Sequence, residues 1–195
     1  LGQVHPTADA IFAVQGLGSF PIALSGSEAL RREVLPAIVS GERIAAFALT
    51  EPEAGSDIAS LRTTATRDGD GWRLDGEKVY ISNVGIAHHH VVFANADPSQ
   101  GRKGITAFVV ERGSAGLEES PIAMSMAHPL GRLRMTGCAV PDARRLGAVG
   151  DGLKIALRTL DTFRITVGAA AVGMARRALE LAIHRVKTRV QFGAP

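Results

Sequence analysis

The spacing of apolar and polar residues changes twice along the chain and divides it into three zones. In residues 1–43 the spacing is helical, with apolar residues three or four positions apart in the segment SEALRREVLPAIVSGE. Ser27 is suited to cap that helix, and Pro21 and Gly26 act as breaks in the apolar segment before it. This zone therefore predicts the end of an N-terminal helical domain.

Residues 44–147 instead show short runs of β-branched and apolar residues separated by turn signals. Asp-Gly pairs, which favour tight hairpin turns, begin at Asp68, Asp70 and Asp75. Several short strands at this spacing predict a central antiparallel β domain, either a barrel or a sandwich.

Residues 148–195 return to helical spacing, and the centre of this zone, GAAAVGMA, has very small side chains. Small residues allow helices to approach closely, so the zone predicts the first long helix of a C-terminal helical bundle. The fold class is therefore α+β. One amphipathic helix cannot bury its own apolar stripe, and the chain begins with Leu1 rather than methionine. We therefore expect a chain that is incomplete at both ends.

Composition limits the function classes further. Apolar residues make up 46% and charged residues 21% of the chain, as in ordinary soluble proteins. The net charge is +3, but lysines and arginines are scattered and aromatics amount to only 5%, so no nucleic-acid partner is predicted. The chain shows neither a signal peptide nor an apolar run of membrane-spanning length, and no membrane partner is predicted. The single cysteine, Cys138, favours a reducing compartment, and we predict a cytoplasmic location.

The segment AFALTEPEAGSD carries the first candidate chemistry. An apolar strand ends at Thr50, and Ser56 follows beside Gly55 in a stiff turn. Loops at strand ends are where a rigid scaffold presents functional groups, and glycine lets a ligand approach the backbone closely. From this segment alone, a ligand site and a plain tight turn are equally good interpretations.

A second segment, EKVYISN, again places polar groups at the end of an apolar strand. Tyr80 and Ser82 are two positions apart, so a regular strand presents them on one face. Together they suit a flat heteroaromatic ring, which the tyrosine would stack on and the serine would hydrogen-bond. A half-buried strand with a core tyrosine is the alternative.

A third candidate is Arg164, which lies on the apolar stripe of the long helix. A charge at such a position needs a partner or a ligand. Asp161 lies one turn earlier and is spaced to pair with it. An internal ion pair and a charged group lining a pocket both remain open.

Four segments in order, LTEPEAGSD, YISN, LDTFR and RVQFG, resemble the landmarks of the acyl-CoA dehydrogenase family. The resemblance covers essentially the whole chain. Family members consist of a helical domain, a β domain and a C-terminal helical bundle. YISN stands where the family usually has a Trp-Ile-Thr-Asn segment, so tyrosine replaces tryptophan and serine replaces threonine, and the aromatic face and the hydroxyl are kept.

The resemblance implies an FAD cofactor, an acyl-CoA substrate and α,β-dehydrogenation of the thioester with hydride transfer to flavin N5. It also implies a homodimer or homotetramer and an electron-transfer flavoprotein as acceptor. By position, it assigns the cofactor to Phe47, Leu49, Thr50, Ser56, Tyr80, Ser82, Arg189 and Gln191. Of these, Arg189 and Gln191 would reach the FAD of a neighbouring subunit. Substrate contacts are assigned to Ser56, Asp161 and Arg164.

No catalytic base is assigned within the chain. Most family members carry a glutamate in the C-terminal bundle, which we expect beyond Pro195. A minority carry it immediately before the helix arginine, where this chain has Phe163. Two alternatives to a dehydrogenase stay open. One is a flavin oxidase or monooxygenase of the same fold acting on a non-thioester substrate, and the other is a non-catalytic subunit.

Three other motifs carry less weight. The run His88 to His90 lacks an acid or cysteine at ligand spacing, so no metal site is predicted. GLGSFP has Pro21 where a dinucleotide fingerprint needs its third glycine, and no strand precedes it. Cys138 lies in an apolar strand without a nearby base and is predicted to be inert.

Overall fold

A computed structural model of the protein describes residues 1–125 and 127–194. Two helices come first, eight strands follow, and a third, long helix ends the described chain. The helices are α1 (Pro6–Ser25), α2 (Glu28–Val39) and α3 (Gly152–Thr188). The strands are β1 (Ala45–Ala48), β2 (Thr64–Asp68), β3 (Gly71–Ser82), β4 (His89–Asn95), β5 (Ile105–Glu111), β6 (Leu117–Pro121), β7 (Leu130–Pro141) and β8 (Arg145–Leu146).

This order confirms the predicted α+β class. The predicted zone limits fall between α2 and β1 and between β8 and α3. Ser27 caps α2 as expected, because its side chain accepts the backbone N–H of Leu30 at 3.2 Å. Pro21 does not break α1, which continues to Ser25 with the proline inside it. The helix survives because tertiary packing of a buried face outweighs the loss of one backbone hydrogen bond.

The eight strands form one sheet in the order β6-β7-β3-β2-β4-β5-β8, and β1 pairs with β4 beside this path. Most pairings are antiparallel, as predicted, including the long β3–β7 and β4–β5 ladders. Two pairings are parallel: β1 with β4, and β2 with β4 through Thr64 and Asn95. Strand β1 therefore lies beside β4. The chain that leaves β1 at Thr50 then runs next to the last residues of β3.

Two apolar cores lie on opposite sides of the central strands. One joins α1, α2 and the start of α3 to the sheet and includes Ile22, Leu30, Val34, Phe93, Ile105, Leu146 and Ile155. The other lies within the β domain and includes Trp72, Leu74, Ile81, Phe108, Leu133, Met135 and Cys138. Alternate residues of β4 enter different cores, since Val91 and Phe93 face the helices while Val92 and Ala94 face the β core. Strand β4 is therefore buried on both faces.

Helix α3 is packed along its first turns and again at Ala170, which is buried beside Gly2. Ile155, Ala156 and Thr159 are buried against the sheet and the other helices. Phe163 then packs edge-on against Phe20 of α1, with ring centroids 5.9 Å apart. Beyond that point large apolar side chains are exposed, among them Ile165, Val172, Leu179, Leu181, Val186 and Val190. The apolar stripe seen in the sequence is thus largely exposed beyond Phe163.

Helix α1 is long and apolar enough, by length and composition alone, to cross a membrane, with a mean hydropathy of 1.3. The sequence expectation concerned unbroken apolar runs, and Asp9, Gln15 and Ser19 interrupt the apolar residues of α1. In this structure α1 packs against α3, β1 and α2, and it buries Gly18, Pro21 and Ile22. A core helix of a soluble protein and a signal sequence near an N-terminus both meet the same length and composition test.

Two neighbouring histidines of β4 are buried, His89 toward the helices and His90 toward the β core. Burial lowers the pKa of both to about 4, and nearby cations act in the same direction. The cations are Arg43 and Arg144 beside His89, and Arg112 beside His90. Glu119 lies 3.1 Å from Nε2 of His90, but this does not outweigh the burial. Both imidazoles are therefore neutral in the native protein at neutral pH.

We expect acid to destabilise the fold through this pair. Each histidine takes up a proton near pH 6.5 when unfolded but only near pH 4 when folded, so stability present above pH 6.5 is lost as the pH falls. His90→Leu should reduce the loss in free energy of unfolding between pH 7 and pH 5 by about 2 kcal/mol. Urea denaturation at both pH values measures this. His184→Gln, at an exposed site, should leave the loss unchanged, and an unchanged loss in His90→Leu would contradict the assignment.

Candidate functional site

A buried ion pair fixes the loop that follows β1. Lys78 of β3 has no exposed side-chain surface, and its Nζ donates to Glu51 Oε1 at 2.8 Å and to the Leu49 carbonyl at 3.1 Å. Glu51 also accepts the backbone N–H groups of Arg62 at 2.6 Å and Thr63 at 3.0 Å, and the Thr63 hydroxyl. One carboxylate therefore holds both ends of residues 51–63.

Burial disfavours the charged form of both groups in this pair, but their partners offset it to different degrees. Burial raises the pKa of Glu51, but Lys78, the Arg62 N–H and the Thr63 hydroxyl together lower it by more, so the net pKa is lowered. Burial lowers the pKa of Lys78 to about 8, although Glu51 opposes the shift. At neutral pH the carboxylate and the ammonium are both charged, and each is the main partner of the other.

A cavity of about 370 Å³ opens next to this loop. It lies between α1, the end of β1, the loop itself, the end of β3 and α3. The structure brings seven of the predicted residues together here: Phe47, Leu49, Thr50, Ser56, Tyr80, Ser82 and Arg164. Apolar walls from Val14, Leu17, Ile58, Ile81 and Leu160 complete it. The cavity thus combines an apolar interior with three hydroxyls, a phenol and a guanidinium.

Tyr80 reaches the cavity through a bulge rather than through regular alternation. The β3–β7 register shifts between Lys78 and Ile81, and Tyr80 adopts a left-handed backbone conformation with φ of 58°. A non-glycine residue with positive φ is uncommon, and such strain is concentrated at functional sites. Tyr80 is 65% exposed, whereas Lys78 and Val79 are both buried. The prediction that regular strand geometry puts Tyr80 and Ser82 on one face is therefore wrong in its reason, although both residues line the cavity.

Arg164 combines the two interpretations that the sequence left open. It lines the cavity, and its Nη1 also lies 3.5 Å from Oδ1 of Asp161. Both side chains are largely exposed, so this ion pair contributes little to stability. Asp161 itself faces a second cavity of about 400 Å³ around the helix, together with Arg102, Lys103, Lys154 and Arg158. The structure therefore separates Asp161 from the first cavity.

Arg189 and Gln191 also lie outside the cavity. They follow the end of α3, on an exposed part of the chain, 25 residues beyond Arg164. At 1.5 Å per helical residue, the distance along α3 is about 36 Å. In a single chain these two residues do not reach the other predicted ligands, and their contact with a neighbouring subunit stays a prediction.

One residue at the site has no counterpart in the sequence predictions. His128, in the segment between β6 and β7, places its Nε2 2.9 Å from the hydroxyl oxygen of Ser82. The contact spans 46 residues of sequence and depends on the pairing of β3 with β7. No local pattern in AHPLG marks this histidine, because the partner is supplied only by the sheet.

The histidine run and the cysteine behave as structural residues. Nδ1 of His88 accepts the backbone N–H of Ile44 at 2.9 Å, while His89 and His90 are buried. Within residues 1–125 and 127–194, no group of three or more His, Cys, Asp or Glu side chains is placed to hold a metal ion. Burial and the charge of Asp75, partly offset by Arg73, raise the pKa of Cys138 to about 11, so its thiol stays protonated.

Two family models match this chain. The model of the acyl-CoA dehydrogenase middle domain matches residues 46–138, and that of the C-terminal domain matches residues 150–195. The chain belongs to the acyl-CoA dehydrogenase family. The first match includes β1 except Ala45, the bulge of β3 and Ser82, and the second includes Arg164 and the whole of α3. The resemblance read from the four sequence segments is thereby confirmed.

Individual relatives agree with the family assignment. A probable acyl-CoA dehydrogenase of Mycobacterium tuberculosis, FadE25, is 42% identical over 99% of this chain and 50% of its own length. The structure of glutaryl-coenzyme A dehydrogenase with glutaryl-CoA matches at a TM-score of 0.95, with 35% identity over 100% of this chain and 50% of that one. A Bacillus anthracis acyl-CoA dehydrogenase complexed with FAD matches at 0.85, with 36% identity over 92% and 31%. The chain spans about half the length of the curated relatives it matches.

We expect Lys78→Met to lower the free energy of unfolding by about 3 to 5 kcal/mol, because it leaves the Glu51 carboxylate buried without its cation. Chemical denaturation measures the change. Arg32→Met is the matched control, since Arg32 pairs with Glu28 on the exposed side of α2 and should be nearly neutral. Equal effects of the two substitutions would show that the buried pair does not hold the loop.

Proposed function

We propose that the whole protein is an FAD-dependent acyl-CoA dehydrogenase that removes hydrogen from the α and β carbons of an acyl-CoA thioester. The observation that carries the proposal is the convergence of β1, the β3 bulge and α3 on one cavity. Residues far apart in sequence, such as Thr50, Ser82 and Arg164, meet there in a chain of this family. When bound, FAD supplies the hydride acceptor, and the protein supplies orientation and electrostatics.

The residues lining the cavity fit the flat ring system of FAD. The exposed phenol of Tyr80 offers an aromatic face, and the walls near it are apolar. Thr50, Ser56 and Ser82 offer hydroxyls that can donate to or accept from ring nitrogens and oxygens. A volume of about 370 Å³ suits one heteroaromatic ring system, so the remainder of the cofactor would extend away from the cavity.

Within this arrangement each residue has a proposed role. Phe47, Leu49 and Thr50 contact the ring system, with Thr50 near its pyrimidine side. Tyr80 flanks the ring, and Ser82 hydrogen-bonds near N5. Ser56 lies between the cofactor and the acyl chain. Arg164 is on the substrate side, and Asp161 acts there through its contact with Arg164 and from the second cavity.

The base that removes the α-proton is proposed to come from outside this chain. None of the described residues that line the cavity carries a carboxylate. Phe163, at the other family position for the base, has no group that can accept a proton. Its ring packs on Phe20 and fills the space beside Gly16. We propose a glutamate elsewhere in the whole protein, in keeping with most of the family.

The exposed apolar side chains of α3 support the proposed assembly. Such a stripe needs cover, which the rest of a helical bundle and a second subunit would supply. We propose a homodimer or homotetramer in which Arg189 and Gln191 reach the FAD of the neighbouring subunit. An electron-transfer flavoprotein is the proposed electron acceptor, and the cytoplasm is the proposed location.

The test is to purify the whole protein and examine its absorbance. We expect bound FAD, and we expect anaerobic addition of a suitable acyl-CoA to bleach the flavin because it becomes reduced. A folded whole protein without FAD would overturn the proposal in favour of a non-catalytic subunit. Flavin that acyl-CoA leaves oxidised, but that reacts rapidly with oxygen once reduced, would favour an oxidase or monooxygenase on another substrate.

Thr50→Val should weaken FAD binding about five- to tenfold, because it removes one hydrogen bond while keeping the side-chain shape. Equilibrium titration of the flavin-free protein with FAD measures the dissociation constant. Thr66→Val is the matched control, since Thr66 lies on an exposed position of β2 and should leave the constant unchanged. An unchanged constant in Thr50→Val would remove Thr50 from the cofactor site.

A further inference from the structure

The hydroxyl of Ser82 connects the cavity to a histidine behind it. Ser82 lines the cavity and is half-buried. On its other side, its oxygen lies 2.9 Å from Nε2 of His128. His128 is itself half-buried and is not among the residues that line the cavity. Its hydrogen-bonded connection to a ligand in the cavity therefore runs through Ser82.

The backbone holds His128 in this position. The carbonyl of Pro129 accepts the N–H of Asn83 at 2.9 Å, and the carbonyl of Leu130 accepts the N–H of Ile122 at 2.7 Å. Ser82 pairs with Leu130 in the β3–β7 ladder. Asn83 is fixed in turn, because its side-chain amide donates to the Ala45 carbonyl at 2.9 Å. The chain is thus anchored on both sides of the serine–histidine contact.

A hydroxyl has one proton to donate and lone pairs to accept with, so its partner on one side limits what it offers on the other. When Nε2 of His128 carries no proton, it accepts the proton of Ser82, and the serine offers only lone pairs to the cavity. When Nε2 carries a proton, it donates to the serine oxygen, and the serine proton is free to point into the cavity. Protonation of the imidazole enforces the second arrangement.

We propose that His128 is a positioning residue that sets whether Ser82 presents a hydrogen-bond donor or an acceptor to the ligand in the cavity. The inference rests on the proposed function, in which Ser82 faces N5 of FAD. In oxidised FAD that nitrogen is an acceptor, so binding is favoured when Ser82 donates. Affinity for oxidised FAD is therefore higher when the His128 imidazole is protonated than when it is neutral.

The charged groups on the surrounding elements are engaged elsewhere. Glu77 of β3 pairs with Arg132 of β7 at 3.0 Å. Glu119 of β6 accepts the N–H of Gly85 and lies close to His90 and Arg112. Arg164 of α3, across the cavity, lies beside Asp161. On β3, Tyr80 lines the cavity and Lys78 is paired with Glu51. Among the described residues, Ser82 is the hydrogen-bond partner that the structure gives to the His128 ring.

The first test needs no flavin. Nitrogen-15 NMR of the histidine rings in the whole protein follows their titration, with exposed His5 and His184 as internal references. Ser82→Ala should change the Nε2 chemical shift and the titration of His128 and leave both references unchanged. If Ser82→Ala leaves His128 unchanged, the proposal is overturned whether or not the protein binds FAD.

The second test is a double-mutant cycle on FAD affinity at two pH values, one on each side of the His128 titration that the NMR experiment follows. The unmodified protein should bind FAD about five- to tenfold more tightly at the lower pH, the effect of one hydrogen bond. His128→Gln keeps a hydrogen-bonding side chain that does not titrate, so this change with pH should disappear. It should also be absent in Ser82→Ala.

The double variant decides whether His128 acts through Ser82. His128→Gln should add nothing to Ser82→Ala, because the serine is the path of the effect. Additive losses, or a change with pH that persists in Ser82→Ala, would overturn the proposal. If the folded unmodified protein binds no FAD, the proposed function fails by that result alone, and the NMR experiment still decides on the serine–histidine pair.

Discussion

The buried pairing of Glu51 with Lys78 is the contact on which the site depends. Residues 51–63 have little regular structure of their own beyond a single short helical turn, Ile58–Ser60. Without a fixed anchor, neither Thr50 nor Ser56 would hold a defined position at the cavity. The carboxylate receives three neutral hydrogen bonds and one cation, so a loop end and a strand are fixed by one group. The cost of burying both charges is offset because each lies within hydrogen-bond distance of the other.

The sheet then places this anchored loop against the helices. Because β4 is buried on both faces, it is the strand that joins the two cores, and β1 pairs along its side. The first turns of α3 pack on the same helix-facing core and bring Leu160 and Arg164 to the cavity. The polar groups of the site are therefore carried by elements fixed in the apolar interior, while the distal half of α3 remains exposed.

Much of this site follows from local sequence. Thr50, Ser56, Tyr80, Ser82 and Arg164 could be found because each stands where an apolar run ends or is interrupted, and such interruptions need a physical reason. The three-zone organisation was equally visible, since strand and helix periods differ. The sequence predicted that Asp161 pairs with Arg164. It could not show that the two residues line different cavities, because the lining of a cavity depends on neighbouring elements.

Other features could not be read from the sequence because they arise from pairing between distant segments. The role of Lys78 depends on Glu51, 27 residues away, and that of His128 depends on Ser82, 46 residues away. The left-handed conformation of Tyr80 is likewise a product of the β3–β7 register, since tyrosine has no local preference for it. The parallel pairing of β1 with β4 also depends on the whole sheet.

The bulge in β3 has a consequence for how this strand tolerates change. Before it, the even-numbered residues Trp72 and Leu74 belong to the β core, and after it the odd-numbered residue Ile81 does so. The strand therefore changes phase once along its length, and its two halves follow opposite patterns. Each half has its own alternation of buried and exposed positions, so the effect of a substitution in β3 depends on the half in which it lies.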